Sequence, residues 1–194
     1  IATGCRPRTI GGEDLAGVHV LRTLDDAVAL RAELDAGPDR VVVIGAGFIG
    51  SEVAASCRAR GLAVTIVEAL PVPLERVLGA DMGAMVADLH RDHEVELRLG
   101  VGVDGFTSSD GGDGGTARVT GVRLADGTTI PADVVVVGVG VVPNTEWLEG
   151  SGLTLDNGVV CDATCLAAPG VVAAGDIARW PNLRFGGEVM RVEH

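Results

Sequence analysis

Lysine and tyrosine are absent from the 194-residue sequence, so all 15 basic side chains are arginines. Without lysine, Schiff-base chemistry and the phosphate-binding lysine of a Walker-type loop are excluded. With no tyrosine and only 3% aromatic residues, the core must be aliphatic. Positive charge is scarce as well: the arginines face 27 carboxylates, for a net charge of -12, which excludes a basic nucleic-acid module. A disordered tail is excluded by 47% hydrophobic residues. Absent Lys beside abundant Ala, Val, Gly and Arg reflects GC-rich coding rather than function.

Cysteine is limited to Cys5, Cys57, Cys161 and Cys165, too scattered for a disulfide framework. Only the last pair comes near a zinc-like spacing, and no second pair completes it. Reduced thiols in a cytoplasm are expected, each a small buried hydrophobe. Hydrophobic runs are short: residues 134–142 fall far below the ~20 residues of a membrane helix. No charged-apolar-small leader opens the chain, and a soluble protein is expected. Ile1-Ala2-Thr3-Gly4 starts without Met as if in mid-strand, and Arg191-Val192-Glu193-His194 ends as abruptly, as in a fragment.

Glycine, by contrast, is plentiful at 29 of 194 residues, about twice the ordinary ~7%. Its placement organises the chain. Leu24, Ala27, Val28, Leu30 and Leu34 suggest one broad helical face between Thr23 and Asp35, with Thr23 as cap and Gly37-Pro38 as stop. A buried strand, Val41-Val42-Val43-Ile44, runs into Gly45-Ala46-Gly47-Phe48-Ile49-Gly50, then a helix over 51–60 closed by Gly61, then the strand Ala63-Val64-Thr65-Ile66-Val67 ending at Glu68. A helix over 81–90 and a strand over 95–99 repeat the alternation. Antiparallel hairpins fit residues 101–130, with Asp110-Gly111-Gly112-Asp113-Gly114-Gly115 as an exposed tip and no metal site. Buried strands return at 133–138 and 171–176. The fold class is α/β: a Rossmann-like, three-layer domain with a parallel sheet and an antiparallel hairpin insert.

Gly45, Gly47 and Gly50 stand at a strand-to-helix turn, where missing Cβ atoms permit a tight bend, close approach of a pyrophosphate and close helix–strand packing. The amides of Phe48 and Ile49 would face the phosphates, aided by the helix dipole. Glu68, 18 residues after Gly50, is placed to accept hydrogen bonds from a ribose, and its charge would repel the extra phosphate of NADP. NAD(H) is therefore the expected cofactor. Arg76 either leans on the adenine or ribose or is a solvated surface residue.

Beyond this turn, the sequence resembles the FAD-dependent pyridine nucleotide-disulfide oxidoreductases, most closely the ferredoxin reductases of oxygenase electron-transfer chains. The resemblance rests on Ala2-Thr3-Gly4 with Arg6-Pro7-Arg8, on the glycine loop with Ser51-Glu52, on Pro73-Leu74-Glu75-Arg76-Val77-Leu78, on Gly138-Val139-Gly140-Val141-Val142-Pro143-Asn144, on Ala173-Ala174-Gly175-Asp176 and on Arg191-Val192-Glu193-His194. It implies three segments: 1–10 ending the first part of an FAD domain, 11–142 an NAD-binding domain, and 143–194 the truncated second FAD part. It further implies that Asp176 holds the ribityl hydroxyls of FAD, that Gly175 lets backbone approach, and that Thr3, Gly4 and Arg8 border the same cofactor. Asp176 could also cap a helix before Ile177. Glu52 becomes the residue nearest the chemistry, with Gly138, Val139 and Gly140, at the nicotinamide face. Otherwise it is an acidic first-turn residue.

The implied function is hydride transfer from NADH to FAD, then electrons to a ferredoxin-type iron–sulfur partner, with no nucleic acid and no membrane involved. Alternatives are a nucleotide-binding module without turnover, or a flavoprotein whose acceptor is oxygen, nitrite or a disulfide. Departures from the family pattern are clear. This sequence holds no lysine to pair with Glu52, so such a partner must lie upstream of Ile1; the first FAD glycine motif is not in this sequence, and Leu166-Ala167-Ala168 stand where an Arg-Thr pair is usual. The acidic net charge argues against an acidic ferredoxin docking on this part. His90 and His93 are taken as helix C-terminal cations rather than metal ligands. Oligomeric state is not legible.

Overall fold

The computed structural model describes residues 1–109 and 115–191. The predicted hairpin tip therefore lies, except for Gly115, outside the described residues, as do Val192, Glu193 and His194. The chain divides into two compact units, Ile1–Arg6 with Val141–His194, and Pro7–Gly140. The first strand, β1 (Cys5–Pro7), starts in the smaller unit.

In the larger unit β2 (Val18–Val20), α1 (Leu24–Asp35), β3 (Arg40–Ile44), α2 (Phe48–Ala59), β4 (Ala63–Glu68), α3 (Glu75–Asp92) and β5 (Glu96–Leu99) follow one another. Then come β6 (Val103–Ser109), β7 (Arg118–Leu124), β8 (Thr129–Pro131) and β9 (Val134–Val137). The main sheet has the order β2-β9-β3-β4-β5 with every neighbouring pair parallel. β6, β7 and β8 form an antiparallel sheet. Because successive strand residues point to opposite faces, the valine runs serve two cores. Val41, Val43, Val134 and Val136 pack with Leu30, Leu34, Val53, Ala54 and Cys57 of the helices. Val42, Ile44, Val135 and Val137 pack with Val119, Val122 and Leu124 of the meander. The result is helices, parallel sheet and antiparallel sheet in three layers, the expected fold class.

Local departures have simple causes. Thr23 caps α1 as expected, its side chain accepting from Asp26 N at 3.1 Å while Thr23 N donates to Asp26 Oδ2 at 2.8 Å. The apolar face is narrower than expected, however. Leu30 and Leu34 are buried while Leu24, Ala27 and Val28 are exposed; at about 100° per residue Val28 lies nearly opposite Leu30, though Ala27 shares the side of Leu34. α2 begins at Phe48 rather than Ser51, since Ser51 N already donates to Gly47 O. This moves Glu52 out of the first turn, where the dipole is felt most. α3 starts six residues before the predicted 81, because Val77 N and Leu78 N both bond Leu74 O, and Gly79 interrupts it with φ 77° and ψ 172°. His90 stands in the last turn of α3 as expected, but it is buried at 8% exposure, and burial, then nearby His93, lowers its pKa and disfavours the cation.

The smaller unit holds β10 (Val141–Pro143), β11 (Val159–Val160), β12 (Leu166–Ala168), β13 (Val171–Val172), β14 (Ala178–Pro181) and β15 (Val189–Arg191). β1 pairs with β10, β12 with β13, and β14 lies between β11 and β15. Its core gathers Leu148, Val159, Cys161, Ala173, Ile177 and Ala178. The buried strand expected over 171–176 shrinks to two residues with Val172 exposed, because β13 is half of a small hairpin. Among the described residues, no helix is long and apolar enough to cross a membrane.

Candidate functional site

The sheet order explains why two separate sequence segments meet. From β3 the chain proceeds outward through β4 to β5, whereas β9 inserts on the other side of β3, so connections leave these neighbours in opposite directions. Such a switch point opens a crevice beyond the carboxyl ends of the strands. Gly45 follows β3 and Gly138 follows β9, and Gly138 N donates to Ile44 O at 2.8 Å. The predicted loops at 45–50 and 138–140 are thus brought side by side.

The three motif glycines meet different surroundings. Gly45 has φ 98°, and a Cβ there would lie 2.4 Å from Gly138 O. At Gly50 a Cβ would lie 1.9 Å from Gly45 O, so helix and turn can close only without a side chain. At Gly47 a Cβ would meet nothing within 4 Å. Gly47 is also the N-cap of α2, and no side chain caps that end. Open space beside an uncapped helix N-terminus is a cradle for a diphosphate, so the residues present fit a dinucleotide. Phe48 and Ile49, 56% and 41% exposed, stand beside the cradle with apolar side chains.

Glu68 ends β4 half-buried, and its carboxylate accepts from Ala46 N at 2.7 Å and from Leu70 N at 2.9 Å. The carboxylate and the glycine turn are therefore one hydrogen-bonded unit, with Gly45 N also donating to Val67 O at 2.8 Å. Ala46 carries a further bond that sequence reasoning missed: its carbonyl accepts from Leu74 N at 3.0 Å, with Leu74 in the left-handed region at φ 54°. This ties the start of α3, with exposed Arg76 in its first turn, to the glycine turn. Glu52 is exposed on α2 and lines the groove between α2 and α3 with Ser51, Ala55 and Leu89. Val139 is half-buried and Gly140 exposed with φ 95°, its carbonyl accepting from Arg8 N at 2.9 Å. Arg8 thus belongs to the unit of the glycine turn, not to that of Thr3 and Asp176.

The smaller unit brings Thr3, Gly4, Gly175 and Asp176 together. Ile1 N donates to Val172 O at 2.7 Å and Ala174 N to Ile1 O at 2.9 Å. Asn144, quoted in the sequence motif without a role, clasps the same segment: its N donates to Gly4 O at 2.9 Å and its Nδ2 to Thr3 O at 2.9 Å, while Thr3 Oγ1 donates to Asn144 O at 3.0 Å. Asp176 sits within a short 3-10 turn, Gly175–Ile177, whose N-cap is Ala174. The helix-capping role considered for Asp176 is therefore wrong, and its half-buried carboxylate instead accepts the Cys5 thiol at 3.1 Å. Nothing in the sequence signalled that contact. All four cysteines are free thiols, with Cys5, Cys57 and Cys161 buried as expected and Cys165 half-buried.

Comparisons with known proteins place this arrangement among others. The family model described as pyridine nucleotide-disulphide oxidoreductase matches residues 1–192. Rhodocoxin reductase of Rhodococcus erythropolis is 44% identical over 185 residues, covering 93% of this chain and 42% of the relative. The crystal structure of the ferredoxin reductase for the CYP199A2 system from Rhodopseudomonas palustris is similar with a TM-score of 0.88 at 42% identity, over 99% of this chain and 46% of that one. The covalent putidaredoxin reductase–putidaredoxin complex is similar with a TM-score of 0.89 at 36% identity, over 99% and 46%. The chain spans less than half the length of each of these proteins.

Proposed function

Because the chain belongs to the pyridine nucleotide-disulphide oxidoreductase family, we propose that it is the NADH-binding part, with adjoining flavin-contacting strands, of an FAD-dependent reductase serving a ferredoxin-type iron–sulfur protein. The observation that carries the reading is the crevice at the switch point, open at Gly47 and bordered by the anchored carboxylate of Glu68. When bound, the nicotinamide and flavin supply the hydride transfer and its division into single electrons. The chain's own residues bind and orient. Gly47 admits the pyrophosphate to the backbone amides of Phe48, Ile49 and Gly50 at the N-terminus of α2. Glu68 accepts from the ribose hydroxyls and disfavours a 2′-phosphate by charge repulsion.

Gly138, Val139 and Gly140 border the nicotinamide, Glu52 serves as the acidic residue nearest the reacting ring, and Arg76 covers the adenosine end. In the smaller unit Thr3, Gly4, Gly175 and Asp176 contact FAD, with Asp176 accepting from ribityl hydroxyls. Arg8 is the further residue assigned to the flavin, on the resemblance of Arg6-Pro7-Arg8 to the family's first FAD segment. Segments 1–10, 11–142 and 143–194 serve these roles as first FAD part, NAD domain and second FAD part. The ferredoxin-type acceptor is supported by the names of the relatives above. With a net charge of -12, docking of an acidic partner falls elsewhere than on this chain. Four free thiols suit a reducing cytoplasm. Purification of the full-length protein tests the reading: a yellow protein that reduces an electron-accepting dye with NADH supports it, whereas a colourless protein that only binds NADH reduces the role to a nucleotide-binding module.

A further inference from the structure

We propose that Cys5 is a positioning residue that orients the Asp176 carboxylate toward the flavin, a role that rests on the flavoprotein reading above. Cys5 is 7% exposed, and its Sγ donates to Asp176 Oδ2 at 3.1 Å across 171 residues of sequence. The contact is made by the fold rather than by local chain geometry. Residues on both sides of it are clamped: Ile1 to Val172 and Ala174 by backbone bonds, and Thr3 and Gly4 to Asn144 by one backbone bond and two that use the Thr3 hydroxyl and the Asn144 amide. The backbones carrying thiol and carboxylate are therefore held at fixed separation, and Arg191 Nη1 adds a bond to Asp176 O at 3.3 Å.

A carboxylate that must accept from sugar hydroxyls gains from a donor that limits its rotation before the ligand arrives. A thiol is a weak donor, but an ionised acceptor strengthens the bond. Unlike a basic side chain a thiol carries no positive charge, so it orients the carboxylate without cancelling the charge that the hydroxyls meet. A purely apolar filling role would ask only for volume, and would leave the orientation of the sulfur toward an oxygen unexplained.

The test uses the full-length reductase proposed above, stripped of flavin and titrated with FAD by flavin fluorescence. Asp176→Ala is expected to weaken FAD binding by about tenfold or more, and Cys5→Ala by about fivefold. Cys5→Ser, which keeps a donor of similar size, stays within about twofold of the wild type. In an Asp176→Ala background, Cys5→Ala adds no further loss, because the two residues act through one contact. Equal affinity of wild type and Cys5→Ala, or a Cys5→Ala loss that persists without Asp176, overturns the positioning role while leaving the flavin reading intact. An Asp176→Ala variant with unchanged FAD affinity overturns both.

Discussion

Gly45, Gly47 and Gly50 form one motif in sequence, but a side chain at each would meet a different fate, and this separates binding from folding. A Cβ at Gly50 would overlap Gly45 O at 1.9 Å, so Gly50→Ala should destabilise the chain by on the order of 2 kcal/mol or more, measured as a lowered urea midpoint. Glu68→Gln keeps an acceptor for the Ala46 amide but removes the charge. Its amide nitrogen cannot accept from Leu70 N as the second carboxylate oxygen does, so stability should fall by about 1 kcal/mol; affinity for NADPH relative to NADH should rise by about tenfold, and an unchanged ratio in parallel titrations would remove the specificity role. The glycines and Glu68 were legible because spacing along a strand–turn–helix unit fixes their relation in space. The Asn144 clasp and the Cys5–Asp176 contact were not, since they join segments far apart in sequence.

Elements show where pattern reasoning fails and why. Valine runs announced β3, β4 and β9 correctly, because strands covered on both faces need no polar alternation. α1 was found through its cap, yet its supposed face was too broad, since Leu24 and Val28 occupy other sides of the helix from Leu30 and Leu34. The end of α3 carries a pH consequence. Burial, then His93, lowers the pKa of His90 from 6.5; at His19 burial does the same, partly offset by Glu33. A histidine with a lowered folded pKa stays neutral in the fold while the unfolded chain takes up its proton near 6.5. Its neutral-state stability is therefore fully present above about pH 6.5 and declines as pH falls toward the folded value. His90→Gln should flatten the fall in urea midpoint between about pH 7.5 and about pH 5.5. An identical slope in the variant would show that His90 carries none of it.

At the scale of the whole molecule, the three-layer α/β architecture was legible because every local signal agreed: buried strands, helix caps and an antiparallel insert between parallel strands. The crevice was legible only in halves, as two glycine loops 93 residues apart from Gly45 to Gly138, because sheet order is set by long-range packing. The proposed function rests on that crevice, and its test must separate loss of binding from loss of fold. Gly47 allows this, since its backbone is extended at φ -76° and ψ -171° and a side chain there meets nothing within 4 Å. The direct measurement is a titration of the wild-type chain and Gly47→Val with NADH, followed by nicotinamide fluorescence, with urea midpoints recorded alongside. Saturable binding by the wild type, lost in Gly47→Val at an unchanged midpoint, is the predicted result; equal affinity in the two proteins would contradict it.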